Sequence, residues 1–336
     1  MNKARFYERT ADGLICLLCP NHCRLLPGQS GNCLSRSAAE DGTMRLDSYA
    51  RIVAANVDPI EKKPLYHFFP GRPIYSIGSY GCNLHCRFCQ NADISQKKHS
   101  GSELTPQQLV LEAKSIKDNI GVAFTYNEPG IWFEYICDCA PLLRPAGLQT
   151  VLVTNGFLEP EPWAELCQYA DAMNIDLKSF NADFYKNICG GRLETVKNNI
   201  VAAVTAGVHV EVTHLVVTGL NDSISEFIQL VDWLAELSDR VPLHISRYFP
   251  RYQEAAPPTD PTLIDRFVET AANKLKFVYP GNVAADQDTL CPACKSVLIK
   301  RHAYEVLLNY CGTNCQCGEK LPFIDENNSA TRERNI

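Results

Sequence analysis

From residue 73 to about 281, short apolar runs alternate with longer stretches whose apolar positions recur at helical spacing. Short β-branched and aromatic runs suit buried strands and the longer amphipathic ones suit helices, so this order predicts repeated β-α units around a parallel sheet. Strands are expected near residues 74–80, 122–126, 150–154, 172–176, 208–217, 243–247 and 276–279. Thr105, Pro106 and Gln108 form a helix start of N-cap, first-turn proline and capping-box amide, and Asn221-Asp222-Ser223 opens another helix. That number of units suits a whole or partial (β/α) TIM-type barrel, in which loops at the strand carboxyl ends build the site.

The flanks break the pattern. Residues 1–72 are rich in turns and cysteine, 73–288 carry the barrel, 289–323 place two cysteine groups around a strand-like alternation, and 324–336 read as a polar tail. With 46% hydrophobic and 21% charged residues the chain can bury a large core. A net charge of −6 argues against a broad nucleic-acid-binding face. The first residues lack an apolar signal core and no uninterrupted apolar run spans a bilayer, so a cytoplasmic protein is expected. Sixteen cysteines grouped at metal-ligand spacings point to metals in a reducing compartment rather than to disulfides.

Three groups carry that metal chemistry. Cys82, Cys86 and Cys89 lie at C-x3-C-x2-C spacing just after the first barrel strand. Soft thiolates select zinc, copper(I) or iron–sulfur clusters, and three of them on one loop leave a cluster with an open iron able to bind a ligand. A zinc site borrowing His85, or unligated thiols, are the plainer readings. Cys16, Cys19, Cys23 and Cys33 offer four ligands for zinc or for a second iron–sulfur cluster relaying electrons inward. Cys291 and Cys294 with Cys315 and Cys317 suit a zinc ribbon, with Cys311 an alternative to Cys315. Cys137, Cys139, Cys167 and Cys189 have no ligand spacing and are expected to pack as small hydrophobes.

The cluster loop, with Phe88 directly before its last cysteine, resembles that of the radical SAM superfamily. The chain is most similar to the activase-like branch, and within it to the radical SAM enzyme of the AmmeMemoRadiSam system. Its N-terminal cysteines, the lead-in VDPIEKKPLYHFF (57–69) and PLHISRYFP (242–250) match that pattern. The resemblance implies a 4Fe-4S cluster that chelates S-adenosylmethionine through its open iron and cleaves it reductively to a 5′-deoxyadenosyl radical.

Strand-end motifs extend the resemblance to the cofactor pocket. Tyr126-Asn127-Glu128 stands where many members have Gly-Gly-Glu, which makes Glu128 the candidate contact for the methionine amino group; its plainer role is capping the helix that follows. Thr154-Asn155-Gly156 is similar to an activase segment lining the cofactor, although Val153 replaces the aspartate those enzymes often carry. Asp176-Leu177-Lys178 is similar to the Asp-Leu-Lys strand end of the activases, which implies that Asp176 and Lys178, with Asn174 nearby, sit near the cofactor carboxylate and ribose. His244 and Arg247 on the sixth strand are candidates to reach inward, against a core histidine and a surface salt bridge. The loop 250–258 is placed to cover the barrel mouth.

The implied function is hydrogen abstraction from a small-molecule or protein substrate, fed by an electron donor such as flavodoxin or ferredoxin, with AMMECR-type and Memo-type proteins as partners by family association. A glycyl-radical enzyme activase of the pyruvate formate-lyase type is the enzymatic alternative. A non-catalytic metal-binding adaptor is the alternative outside enzymes.

Overall fold

The structure is a computed structural model and describes residues 3–284, 287–302 and 305–326. Eight strands form the central sheet: β1 (Ala54–Pro59), β2 (Pro73–Gly78), β3 (Gly121–Phe124), β4 (Gln149–Thr154), β5 (Ala172–Asp176), β6 (His209–Val216), β7 (Leu243–Arg247) and β8 (Val278–Gly281). They lie side by side in chain order. All neighbours from β2 to β8 pair in parallel, whereas β1 runs antiparallel to β2, matching Ala54 with Gly78 and Pro59 with Pro73. Helices Pro106–Ser115, Phe133–Leu143, Pro160–Tyr169, Leu193–Thr205, Ile224–Leu237 and Pro261–Ala272 supply the crossovers. This mostly parallel α/β sheet is the partial barrel that the alternation predicts.

Local chemistry explains the element starts. Thr105 Oγ1 accepts the Gln108 amide at 3.3 Å while Gln108 Oε1 accepts the Thr105 amide at 2.9 Å, a reciprocal capping box. Ser223 precedes the helix Ile224–Leu237 without capping it through its side chain. Asn221 instead ties the strand exits together, accepting the Val217 amide at 2.6 Å and donating to the Lys178 carbonyl at 2.6 Å. The crossover helices bury Phe133, Trp163, Phe227 and Phe267 against strands whose Val122, Leu152, Val212 and Leu243 are fully enclosed. Burial of roughly 1.5–3 kcal/mol per large side chain makes this layer the main stabilising term.

The flanks differ from the sequence reading in two places. Residues 54–59, within the stretch read as a separate N-terminal segment, form the antiparallel edge of the sheet because their backbone pairs along the whole of β2. Ile324 pairs with Phe68, Tyr310 holds the buried Asp325 at 2.6 Å, and Arg72 binds Glu326 at 2.5 Å. Residues 324–326 are therefore docked rather than frayed, and residues 327–336 of the expected tail lie outside the described residues. Before β1, short hairpins carry the first four cysteines; after β8, strands Thr289–Leu290, Val297–His302 and Glu305–Leu308 form a small antiparallel sheet.

Candidate active site at the strand ends

Strand β2 leads into the loop of Cys82, Cys86 and Cys89, whose path is fixed by its backbone. Gly81 has φ +88°, and a Cβ there would stand 2.1 Å from the carbonyl oxygen of Cys33, so this turn requires glycine. The His85 amide donates to the Cys189 carbonyl at 2.7 Å and the Arg87 amide to Ile188 at 3.2 Å. Asn127, from the end of β3, clamps the start of the loop: its Oδ1 accepts the Ser79 amide and its Nδ2 donates to the Gly81 carbonyl, both at 3.0 Å. Asn155, from the end of β4, donates through Nδ2 to Asn83 at 2.9 Å and lies 3.6 Å from the Cys82 sulfur.

All three cysteines line one cavity of about 1010 Å³. Phe88, Asn127, Glu128, Thr154, Asn155, Asn174, Asp176, Lys178 and Arg247 line it with them. Burial pushes the Cys82 thiol well up and raises Cys89, while a hydrogen bond from Cys189 lowers Cys86. Burial opposes ionisation of Cys82 and Cys89, a penalty that a bound soft cation offsets, so three converging sulfurs fit a soft metal centre. Cys189, expected to be a simple packing residue, is a fully buried neighbour of Cys86 that does not line the cavity.

Glu128 is buried and joins two strand ends. Its Oε1 accepts the Gly130 amide at 2.7 Å and the Thr154 hydroxyl at 2.6 Å, and Oε2 accepts the Asn155 amide at 2.7 Å. The carboxylate caps the short helix Pro129–Trp132 and also faces the cavity, with Oε2 retaining one lone pair for a ligand donor. Burial raises its carboxyl to about 7 against these bonds. Across the cavity Lys178 Nζ lies 2.8 Å from Asp176 Oδ2. Burial opposes the lysine charge, but Asp176 and Cys86 outweigh it and hold the ammonium well above its ordinary range. Asn174 spends its amide within the fold, donating to the Pro64 carbonyl at 2.8 Å and accepting from Thr213 at 2.9 Å.

Arg247 donates through Nε to the Thr259 carbonyl at 2.6 Å and stacks on Phe249 at 4.7 Å. Arg247 lines the cavity, and its bond to Thr259 uses only the Nε donor. Tyr248, Phe249 and Arg251 bring the following loop to the cavity wall. His244 is not brought there. Its Nε2 bonds Glu211 at 2.7 Å inside the sheet, where the same carboxylate accepts the Tyr66 and His67 amides at 2.9 and 2.7 Å. A buried carboxylate needing several donors has drawn this histidine into the core, and the expectation of an inward cofactor contact is corrected.

One side of the cavity was missed by sequence reasoning. Asp58 on β1 accepts Lys63 Nζ and the Tyr126 hydroxyl, both at 2.7 Å. Burial alone would push Asp58 up, but Lys63 and Tyr126 outweigh it and bring it down to about 2. The run Ile60-Glu61-Lys62-Lys63-Pro64 held a signal, two lysines beside an acid, yet only the antiparallel edge strand shows that it faces the cavity.

Two further cysteine groups lie away from this cavity. The sulfurs of Cys291, Cys294, Cys315 and Cys317 all fall within 4.8 Å of one another, with Cys291–Cys317 at 3.6 Å and Cys294–Cys315 at 3.7 Å. Cys311 is exposed and outside that group. Cys16, Cys19, Cys23 and Cys33 line one small cavity with Leu18, Leu25, Arg36 and Ile131.

Residues 76–234 match the radical SAM superfamily. An uncharacterized protein of Methanocaldococcus jannaschii is 37% identical over 338 residues, covering 96% of this chain and 100% of that one. The pyruvate formate-lyase-activating enzyme of Clostridium pasteurianum is 28% identical over 148 residues, covering 43% of this chain and 61% of the enzyme. Among solved structures, Streptococcus suis SuiB aligns with a TM-score of 0.49 at 14% identity, over 64% of this chain and 48% of its own. The chain belongs to the radical SAM superfamily, and its homologues include pyruvate formate-lyase-activating enzymes. Superfamily membership makes it an enzyme that uses a 4Fe-4S cluster and S-adenosylmethionine, with a substrate and an electron donor. No described helix is long and apolar enough to cross a membrane.

Proposed function

We propose that this enzyme cleaves S-adenosylmethionine reductively at a cluster held by Cys82, Cys86 and Cys89 and uses the resulting radical to abstract hydrogen from a substrate in the same cavity. The observation that carries this reading is convergence: the three sulfurs share one cavity with Glu128, Asp176 and Lys178, from the ends of three different strands. When bound, the cluster supplies the electron that breaks the sulfonium C–S bond. The protein residues bind and orient. Glu128 Oε2 takes the cofactor amino group, Lys178 the carboxylate and Asp176 the ribose, while Asn127 and Asn155 hold the cysteine loop in register. Arg247 faces the remaining volume and suits a substrate with a carboxylate or other anionic group.

The C-terminal four sulfurs suit zinc, since a tetrahedral ion with Zn–S of about 2.3 Å sets sulfurs about 3.8 Å apart. The N-terminal cysteines, the lead-in at 57–69 and the match to 242–250 support placement in the AmmeMemoRadiSam group, with AMMECR-type and Memo-type proteins as partners. The partial likeness to pyruvate formate-lyase-activating enzymes supports a second reading, in which the hydrogen comes from a backbone glycine of a partner protein. The test is anaerobic reconstitution of wild type and of the Cys82→Ala/Cys86→Ala/Cys89→Ala variant, followed by dithionite and S-adenosylmethionine. Wild type is expected to release 5′-deoxyadenosine and the variant none; a well-folded, iron-loaded wild type that releases none contradicts the proposal.

A further inference from the structure

We infer that Cys16, Cys19, Cys23 and Cys33 hold a second iron–sulfur cluster, and that this cluster hands electrons to the one on the Cys82 loop. The inference rests on the function proposed above for that loop.

The first support is sulfur spacing. All four cysteines line one cavity, three of them buried and the fourth half-buried. Among the described residues, the group whose donor atoms all come within 4.8 Å of one another is the C-terminal one; the N-terminal sulfurs do not close to that distance. A single tetrahedral ion needs sulfurs about 3.8 Å apart, whereas iron bridged by sulfide holds its thiolates wider. The sulfurs of Cys82, Cys86 and Cys89 do not all close to that distance either. On this measure the N-terminal four cysteines group with the cluster loop and not with the C-terminal site.

The second support is a buried cation. Arg36 is 1% exposed and lines the same cavity. Its Nη1 donates to Glu134 at 3.1 Å and its Nη2 to the Arg5 carbonyl, while Nε, also buried, has no partner. Glu134 already pairs the Arg36 charge, but the unmatched Nε donor is costly to bury, and a thiolate-ligated cluster beside it supplies the missing acceptor. The Asn32 amide already donates to the Cys23 sulfur at 3.5 Å. Positive charge and N–H donors around cluster sulfurs favour the reduced state, as a relay requires.

The third support is position. Cys33 packs its carbonyl onto Gly81, the residue before Cys82, so closely that no side chain fits between them. Asn21, between Cys19 and Cys23, donates through Nδ2 to the Asn83 carbonyl at 2.8 Å, directly after Cys82. Ile131, three residues beyond Glu128, walls the N-terminal cavity. The loops that carry the two cysteine groups are thus in direct contact. One electron from a reduced flavodoxin or ferredoxin would pass to the N-terminal cluster and on to the loop cluster, with no proton or bond change until it enters the cofactor sulfonium.

The test uses the full chain. The Cys82→Ala/Cys86→Ala/Cys89→Ala variant leaves the N-terminal group intact and is expected to retain iron and sulfide with a cluster Mössbauer spectrum, together with zinc for the C-terminal site alone. An iron-free variant with zinc at both flanking groups overturns the inference, even while wild type cleaves the cofactor. Loss of cofactor cleavage in wild type overturns the functional reading instead. A Cys19→Ala/Cys23→Ala variant that keeps the loop cluster is expected to cleave the cofactor with dithionite but to lose cleavage driven by reduced flavodoxin. Equal loss of both, with the loop cluster still present by Mössbauer spectroscopy, or loss of neither, contradicts the relay.

Discussion

The Thr154 hydroxyl donates to Glu128 Oε1 at 2.6 Å, fastening the end of β4 to the end of β3. The bond leaves the other carboxylate oxygen facing the cavity with one lone pair unused. Glu128→Gln keeps the shape and removes the charge. A charge-assisted contact contributes about 1.5–3 kcal/mol, so the variant is expected to bind S-adenosylmethionine about tenfold or more weakly by calorimetry on the reconstituted protein. Because burial raises this carboxyl to about 7, wild-type affinity should climb as pH rises through that value. The variant should not follow it, and parallel profiles would remove Glu128 from the amino-group contact.

Asn127 contributes through the loop it holds. Asn127→Ala leaves the Ser79 amide and the Gly81 carbonyl without their partners, at a cost of about 1–3 kcal/mol for each buried group. A lower melting temperature and faster loss of cluster absorbance under a chelator are expected. Cluster loss at the wild-type rate would show that the clamp does not position the cysteines.

Of the three C-terminal cysteines after the hairpin, Cys315 and Cys317 join Cys291 and Cys294, whereas Cys311 does not. Cys315→Ser is expected to lower zinc by one equivalent per chain, and Cys311→Ser to leave it unchanged. The ribbon docks through Arg301, which stacks on Tyr66 at 4.3 Å and donates to its carbonyl at 2.7 Å. Removing that metal should therefore also lower the melting temperature. Equal zinc in both variants contradicts the assignment.

His67 makes the core sensitive to acid. Burial drives its imidazole from 6.5 down to about 3, so the native state prefers the neutral ring. The associated stability is present above the unfolded value and is lost as pH falls toward the folded one, at roughly 1.4 kcal/mol per pH unit. Urea midpoints should fall between about pH 6.5 and 4.5. His67→Phe, which carries no titratable ring into the aromatic contacts with Phe277 and Phe323, should lose that part of the slope. An unchanged slope contradicts it.

What the sequence made legible follows from locality. Strands and capped helices are encoded by neighbouring residues, so β5 and β7 fall on the expected residues, and the capping box at Thr105 forms as its spacing requires. The strand-end motifs were also readable, because a parallel sheet places every carboxyl end on one rim. Long-range pairing was not readable. The antiparallel β1 that delivers Asp58 and Lys63, the capture of His244 by Glu211, and the contact of Cys33 with Gly81 each join residues far apart in the chain. No local pattern distinguishes an inward strand histidine that meets a cofactor from one that meets a buried carboxylate.

The most direct measurement is electron paramagnetic resonance of the dithionite-reduced protein with and without S-adenosylmethionine labelled with 15N at its amino group. An open iron on the Cys82 loop should shift the signal when the cofactor is added and show coupling to the labelled nitrogen. Both effects should vanish in the Cys82→Ala/Cys86→Ala/Cys89→Ala variant, whatever cluster signal its N-terminal cysteines retain. A spectrum unchanged by saturating cofactor in the wild type would contradict the account at its centre.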